Sequence, residues 1–446
     1  MSVENINHRI ERLFALQRAS RVARKQEGAE VRIARLARLK DAIVARVPQI
    51  EQALYEDLRK APSRGKGGEI PAVLAEITTA IANLEQWMAP NPVAQSSHLP
   101  NTAAHIQYEP RGVVLLLGAW NFPFALVMAP LVAIIAAGNS AIVKPNELQP
   151  ATCVVVAELL ESIFDEQDVA VVDGGIDVAE YLQELPFDHV FFTGSPAVGK
   201  RVMAAAARHL TSVTLELGGK CPAILDSGYD LKEAAAKVAG ARFLNAGQLC
   251  LSVDHVWVPR AHHEEFCTLL AALIEQMFYV DGELSLERLP RIVNTRNFER
   301  VLGYVEDARQ RGARVLRGGQ SELESLTIYP TLLTDVPMDA RIMQEEIFGP
   351  LLPILAYDDL AEVIAQVDST GKPLAMYIFS HDQTFIDQVL LGTSSGGVTV
   401  NHVLMHFMEK NLPFGGVNGS GMGRYHGHAG FLELSNARSV LIQQSA

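Results

Sequence analysis

Cys250 stands in Asn245-Ala-Gly247-Gln248-Leu249-Cys250, after a helical stretch (231–243) and before an apolar, strand-like run (253–258). A lone cysteine is most often a small buried hydrophobe. A Gly-Gln turn where an element ends instead suits a thiolate that must meet an electrophile. Glu216, in Leu215-Glu216-Leu217-Gly218-Gly219-Lys220, closes an apolar run and precedes two glycines. A surface glutamate fits that place poorly, which leaves a proton acceptor or a buried structural carboxylate. Asn121 lies in Ala119-Trp120-Asn121-Phe122-Pro123, just after the run 113–117. Its side chain offers an N–H to a developing oxyanion, or else the segment is a turn with aromatic packing. Each signal is weak when taken alone.

Three other motifs fail on their own requirements. Gly194-Ser-Pro-Ala-Val-Gly199-Lys200-Arg201 follows an apolar run and nearly spells a P-loop, but Arg201 stands where a magnesium-binding hydroxyl is needed. Such a turn can still present backbone N–H groups to another phosphate. Gly392-Thr-Ser394-Ser-Gly396 matches a nucleophile elbow, yet no Asp follows it and the only later acids are Glu409 and Glu433. Gly419-Ser-Gly421-Met-Gly423 leaves too little chain for a strand-helix-strand unit.

The elements that must position these residues change character along the chain. Residues 1–60 read as charged, amphipathic helix and 68–88 as a second helical stretch, while Pro, Asn and Ser in 90–101 read as a linker. Residues 105–108 and 112–117 read as strands parted by a Glu109-Pro110-Arg111 turn. Apolar runs at 113–117, 140–143, 169–172, 189–193 and 211–215 then alternate with helical stretches. That alternation predicts an α/β fold with a parallel sheet, which binds ligands at the carboxyl ends of its strands. A second α/β stretch occupies 218–397, and the Gly- and His-rich tail from 398 reads as loop and strand.

Composition narrows the class further. The 446 residues are 48% hydrophobic and 20% charged, as in a globular protein, and the net charge of −13 supplies no broad basic face for nucleic acid. The apolar stretch 122–138 is short for a membrane span and carries Pro123 and Pro130. No secretory signal is read at the start. Cys153, Cys221, Cys250 and Cys267 make neither a disulfide framework nor a CxxC zinc site, so a reducing, cytoplasmic setting is expected. His402, His406, His426 and His428 read as structural or solvated, and no metal is assigned. Cys153, Cys221 and Cys267 read as packing residues, and Lys66 and Glu69 as solvated residues at a helix start.

Taken in order, Trp120-Asn-Phe-Pro123, Lys144-Pro145, Phe192-Thr-Gly-Ser195 with Gly199, Glu216-Leu-Gly-Gly219 and Gly247-Gln-Leu-Cys250 resemble the aldehyde dehydrogenase superfamily. Glu346-Ile-Phe-Gly-Pro350 and Pro413-Phe-Gly-Gly416 followed by Ser420-Gly421 extend the resemblance over about residues 30–440. Leu412-Pro-Phe-Gly-Gly-Val417 and Gly421-Met-Gly-Arg-Tyr-His426 resemble the class 3 branch, which includes fatty, aromatic and coniferyl aldehyde dehydrogenases. Two positions depart: Ala119 replaces a proline common in the family, and Leu249 occupies a variable position.

The resemblance implies a Rossmann-like cofactor domain (1–95 and 113–217), a catalytic domain (218–397) and a bridging arm (96–112 and 398–446). It implies Cys250 as nucleophile, Glu216 as general base and Asn121 as oxyanion donor. Trp120, Lys144, Glu147, Gly194, Ser195, Gly199, Leu217, Glu346 and Phe348 would hold NAD, with NADP as the second choice, because a carboxylate at Glu147 repels a 2′-phosphate. Cys250 would form a thiohemiacetal, then a thioester cut by water with Glu216 as base. The presence of that Glu weighs against a coenzyme A-acylating enzyme, and the intact Cys, Glu and Asn weigh against a catalytically silent member. Phe124, Leu249, Leu251, His406 and Phe407 are the expected substrate pocket, whose apolar character favours an aromatic or medium-chain aldehyde. The apolar tail that anchors some fatty-aldehyde members is not read before Ser445-Ala446, so no membrane anchor is expected. The arm predicts a homodimer, with a tetramer as the alternative.

Overall fold

Apolar runs separated by helices become strands of parallel sheets because such strands are covered on both faces. The computed structural model describes residues 3–62 and 68–444. Its first sheet has six strands, in the spatial order Gly421–Met422, Ser212–Glu216, His189–Thr193, Val113–Leu117, Ser140–Lys144 and Val169–Val171. All pair in parallel except Gly421–Met422, which runs against Ser212–Glu216. Side chains alternate in the central strand. Val114 and Leu116 face a core that contains Leu39, Ile77, Leu131 and Val156. Val113, Leu115 and Leu117 face another with Ile10, Leu13, Leu182 and Val202.

From Val113–Leu117 the chain builds outward on one side through Ser140–Lys144 and Val169–Val171. It then crosses back to lay His189–Thr193 and Ser212–Glu216 on the other side. This reversal opens a crevice beyond the carboxyl ends of Val113–Leu117 and His189–Thr193. The helix Ala125–Ala137 covers the sheet and stops at Gly138, whose φ of 85° lets its N–H reach the carbonyls of Ile134 and Ile135.

The second sheet has seven strands, ordered Arg314–Arg317, Thr331–Thr334, Leu351–Tyr357, His255–Pro259, Pro222–Leu225, Ala375–Phe379 and Gly397–Val400. Only Arg314–Arg317 is antiparallel. A third, antiparallel sheet joins Asn91–Val93, Thr102–Pro110 and Ser435–Gln443, the last two in unbroken register from Thr102↔Gln443 to Pro110↔Ser435.

Several sequence expectations change. The stretch 1–60 is three helices, Val3–Lys25, Ala29–Ala45 and Val47–Leu58. Asn91–Val93, read as linker and grouped with the cofactor domain, pairs with Thr102–Pro110. That strand also runs through the expected turn at Glu109-Pro110. The tail contains two short helices, Met405–Met408 and Gly427–Glu433, and its Gly421–Met422 strand joins the first sheet rather than the arm. The partners in these pairings lie far apart along the chain, where local composition carries no record of them. Among the described residues no helix is long and apolar enough to cross a membrane.

Candidate active site

Four neighbouring strands of the first sheet end at one cavity of about 910 Å³. Trp120 and Asn121 follow Val113–Leu117, Lys144 ends Ser140–Lys144, Gly194 and Ser195 follow His189–Thr193, and Glu216 ends Ser212–Glu216. The second sheet supplies Cys250, Glu346 and Phe348 to the same cavity. Every expected catalytic and cofactor position lines it except Gly199, which lies beneath it. A Cβ at Gly199 would stand 2.8 Å from a methyl carbon of Leu217, itself in the cavity wall.

The Cys250 segment is built on an unusual turn. Asn245, Ala246 and Gly247 have φ values of 52°, 54° and 72°, three successive left-handed residues. A Cβ on Gly247 would collide with the carbonyl of Gly349, so this glycine lets the Cys250 loop touch the loop that carries Glu346 and Phe348. Gln248 is fully buried, and its amide donates to the carbonyls of Asn245 (3.1 Å) and Arg291 (3.0 Å). The Asn121 amide donates to the Gln248 carbonyl at 3.2 Å. Asn245 in turn donates to the carbonyl of Asn121 at 2.9 Å, so the oxyanion-donor candidate and the thiol loop hold each other.

Cys250 is half-buried. Burial, then the charges of Glu346 and Glu216, push its thiol up, and the backbone N–H groups of Cys250 and Leu251 oppose the shift by favouring the thiolate. Glu216 is buried, and neither carboxylate oxygen has a hydrogen-bond partner among the described residues. Burial holds its carboxyl well above the usual range, against the attraction of Arg424. A carboxylate whose charged form is disfavoured by burial binds a proton more tightly than a solvated one, which is what a general-base candidate needs. Glu346 is pushed up to about 8, by burial first and then by Asp254.

The residues present suit a dinucleotide. The helix Pro196–Ala207, capped by Ser195, turns its N-terminal residues toward the cavity, where its dipole favours a pyrophosphate. Lys144 donates to Glu147 at 2.8 Å, which leaves a charged pair for ribose hydroxyls. Trp120 and Phe348 meet edge to face at 5.3 Å.

Sequence reasoning missed the residues that hold this second loop. Arg300, from the helix Thr295–Gln310, donates to the carbonyls of Glu346 (3.4 Å), Ile347 (2.9 Å) and Phe348 (3.3 Å). Lys220 donates to the Glu345 carbonyl at 3.1 Å, and buried Arg242 donates to that of Gly349. Five consecutive carbonyls, 345–349, thus accept from three cations. Asp254 accepts from the N–H of Ile347 at 3.0 Å. Arg300, Asn297, Tyr304 and Glu345 also line the cavity. On the amphipathic helix Thr295–Gln310, Asn297, Arg300 and Tyr304 read as helix surface, so no local signal marks them.

None of the five expected substrate-pocket residues lines the cavity. Phe124 and Leu251 are buried in the core and Leu249 packs against it. The positions beside Cys250 are fixed by core packing, which adjacency in sequence does not reveal. Buried His406 bonds Thr399 at 2.7 Å, and Phe407 packs on Phe414 and His426 at 5.0 and 4.8 Å. Glu69, expected to be solvated, is buried and bonded on both oxygens, and Lys66 lies outside the described residues. Cys153, Cys221 and Cys267 are buried. Cys221 donates to the carbonyl of Cys250 at 3.3 Å. The described residues hold no cluster of three or more His, Cys, Asp or Glu able to ligate a metal.

Comparison with known proteins shows the family and the fold. The description "Aldehyde dehydrogenase family" matches residues 9–440. The chain is 40% identical over 412 residues to aldehyde dehydrogenase family 3 member A2 of Rattus norvegicus, covering 92% of this chain and 84% of that protein. It is 40% identical over 445 residues to a probable coniferyl aldehyde dehydrogenase of Pseudomonas aeruginosa, covering 98% and 92%. Among solved structures, the substrate-bound state of Staphylococcus aureus AldH superposes with a TM-score of 0.93 at 37% identity, covering 98% and 94%.

Proposed function

The chain belongs to the aldehyde dehydrogenase family, in a class 3-like branch, and its enzymes use NAD or NADP; from that premise we propose that it oxidises an aromatic or medium-chain aldehyde to the carboxylic acid. The carrying observation is that Cys250, Glu216 and Asn121 line one cavity together with the cofactor positions. Cys250 adds to the aldehyde carbon, and the Asn121 amide with the Cys250 N–H receives the alkoxide charge of the thiohemiacetal. When bound, the nicotinamide supplies the two-electron oxidant that makes the thioester possible. Glu216 then takes a proton from water, which hydrolyses the thioester and frees the thiol. A buried base without other partners favours hydrolysis over transfer to coenzyme A.

The aromatic preference rests on the similarity to a coniferyl aldehyde dehydrogenase. Glu147 favours NAD over NADP. Exposed Leu441 and Ile442 in the third sheet support a homodimer through that arm, and four free cysteines support a reducing, cytoplasmic setting.

The test is a panel of aromatic, aliphatic and charged aldehydes, each followed by NADH absorbance with NAD and NADP titrated in parallel. The highest kcat/KM is expected for a coniferyl- or benzaldehyde-like substrate with NAD. Preference for a small charged semialdehyde, or for NADP, would overturn the corresponding part.

A further inference from the structure

Lys60 follows the helix Val47–Leu58, far from the reactive residues in sequence, yet its ammonium donates to the backbone carbonyl of Asn121 at 2.7 Å. The same group donates to Glu69 at 2.6 Å and stands 3.9 Å from the ring centre of Phe122. The other oxygen of Glu69 accepts from the backbone N–H groups of Phe124 (3.0 Å) and Ala125 (2.9 Å). The pair therefore clips both ends of the segment 121–125. Its lysine fixes the carbonyl at the start, and its glutamate fixes the first turn of the helix Ala125–Ala137.

Geometry around the peptide makes this more than a helix cap. The Asn121 carbonyl takes two donors, Lys60 and the side chain of Asn245, so its peptide plane is set from both sides. Its side-chain amide bonds the Gln248 carbonyl, two residues before the thiol. Rotation of the Asn121 peptide would move the amide away from the thiol loop. We infer that Lys60 and Glu69 are positioning residues for Asn121, aiming its amide at the oxyanion formed over Cys250. This rests on the proposed role of Asn121 and adds two residues outside the catalytic motifs.

Four variants test it: Asn121→Ala, Lys60→Met, the double variant Lys60→Met/Glu69→Gln, and Lys60→Met in the Asn121→Ala background. Each is read for kcat and KM with aldehyde, NAD affinity and Tm. Lys60→Met should lower kcat at least about tenfold, bounded by the roughly 10²–10³ expected for Asn121→Ala, with NAD affinity nearly unchanged. In the Asn121→Ala background it should cost little more, because both act through one amide. Lys60→Met/Glu69→Gln removes both charges and keeps an acceptor for the helix N–H groups. Its Tm should recover while kcat stays low. Recovery of kcat along with Tm would overturn the inference, as would an equal Lys60→Met loss with and without Asn121. A silent Lys60→Met beside a damaged Asn121→Ala would overturn it alone. A silent Asn121→Ala would overturn the oxyanion role and this inference together.

Discussion

The two sheets bring their functional groups to the cavity by different means. In the first sheet Lys144 and Glu216 are the last residues of hydrogen-bonded strands, and Asn121 and Ser195 follow within a few residues. Neighbouring strand ladders fix them. The second sheet presents Cys250 and Glu346 on irregular loops with left-handed residues at 245–247 and at Phe348 (φ 45°). Those loops are held by Lys220, Arg242 and Arg300 and by the close approach of Gly247 to Gly349. Rigidity from a regular ladder is shared among many weak contributions, whereas rigidity from a few buried cations is concentrated in single side chains. The second loop should therefore fail at single substitutions that the first sheet absorbs.

The largest effect expected is on the reacting atoms. Cys250→Ala should cut turnover by more than roughly 10⁴-fold while leaving NAD affinity intact; residual turnover near wild type would move the nucleophile elsewhere. Asn121→Ala comes next, at roughly 10²–10³ in kcat. Substitutions that do not touch substrate sharpen the contrast between the sheets. Arg242→Met should lower stability by about 2–4 kcal/mol, since buried carbonyls lose a charged donor. Val143→Ala, in the middle of a first-sheet strand, should cost about 1–3 kcal/mol and leave KM for NAD unchanged. Denaturant unfolding and NAD titration of both variants check this, and equal effects on NAD binding would break the comparison. The smallest effect concerns pH. The Glu216 carboxyl is held above its ordinary range, so it is protonated at low pH and becomes a base as pH rises through its shifted value. Thioester hydrolysis should therefore increase as pH rises through that raised range, and Glu216→Gln should flatten that rise; a wild-type profile with no such rise would remove Glu216 as base.

How much of this was legible depended on how local each constraint is. The runs 113–117, 140–143 and 189–193 are continuous apolar stretches because their strands are covered on both faces, and the sequence shows that directly. Asn121, Glu216 and Cys250 were visible because each stands at a glycine- or proline-marked element end. Glu69 was misread because its partners, Lys60 and the N–H groups of Phe124 and Ala125, converge only after two helices pack. Phe124 and Leu251, near the reacting residues in sequence, are buried in the core, whereas Leu249 stays half-buried against it beside Cys250, a distinction that order along the chain does not carry.

Sequence by itself determined the alternation of strands and helices, the turn residues at their ends, and the chemical types delivered there, since these follow from nearest-neighbour sterics and burial periodicity. Tertiary structure alone decided that five carbonyls of one loop meet three cations, and that Lys60 reaches the back of Asn121. It also gave Asn91–Val93 and Gly421–Met422 their sheets. These contacts join residues tens to hundreds of positions apart, and their energy depends on distance in space, which the order of residues does not encode.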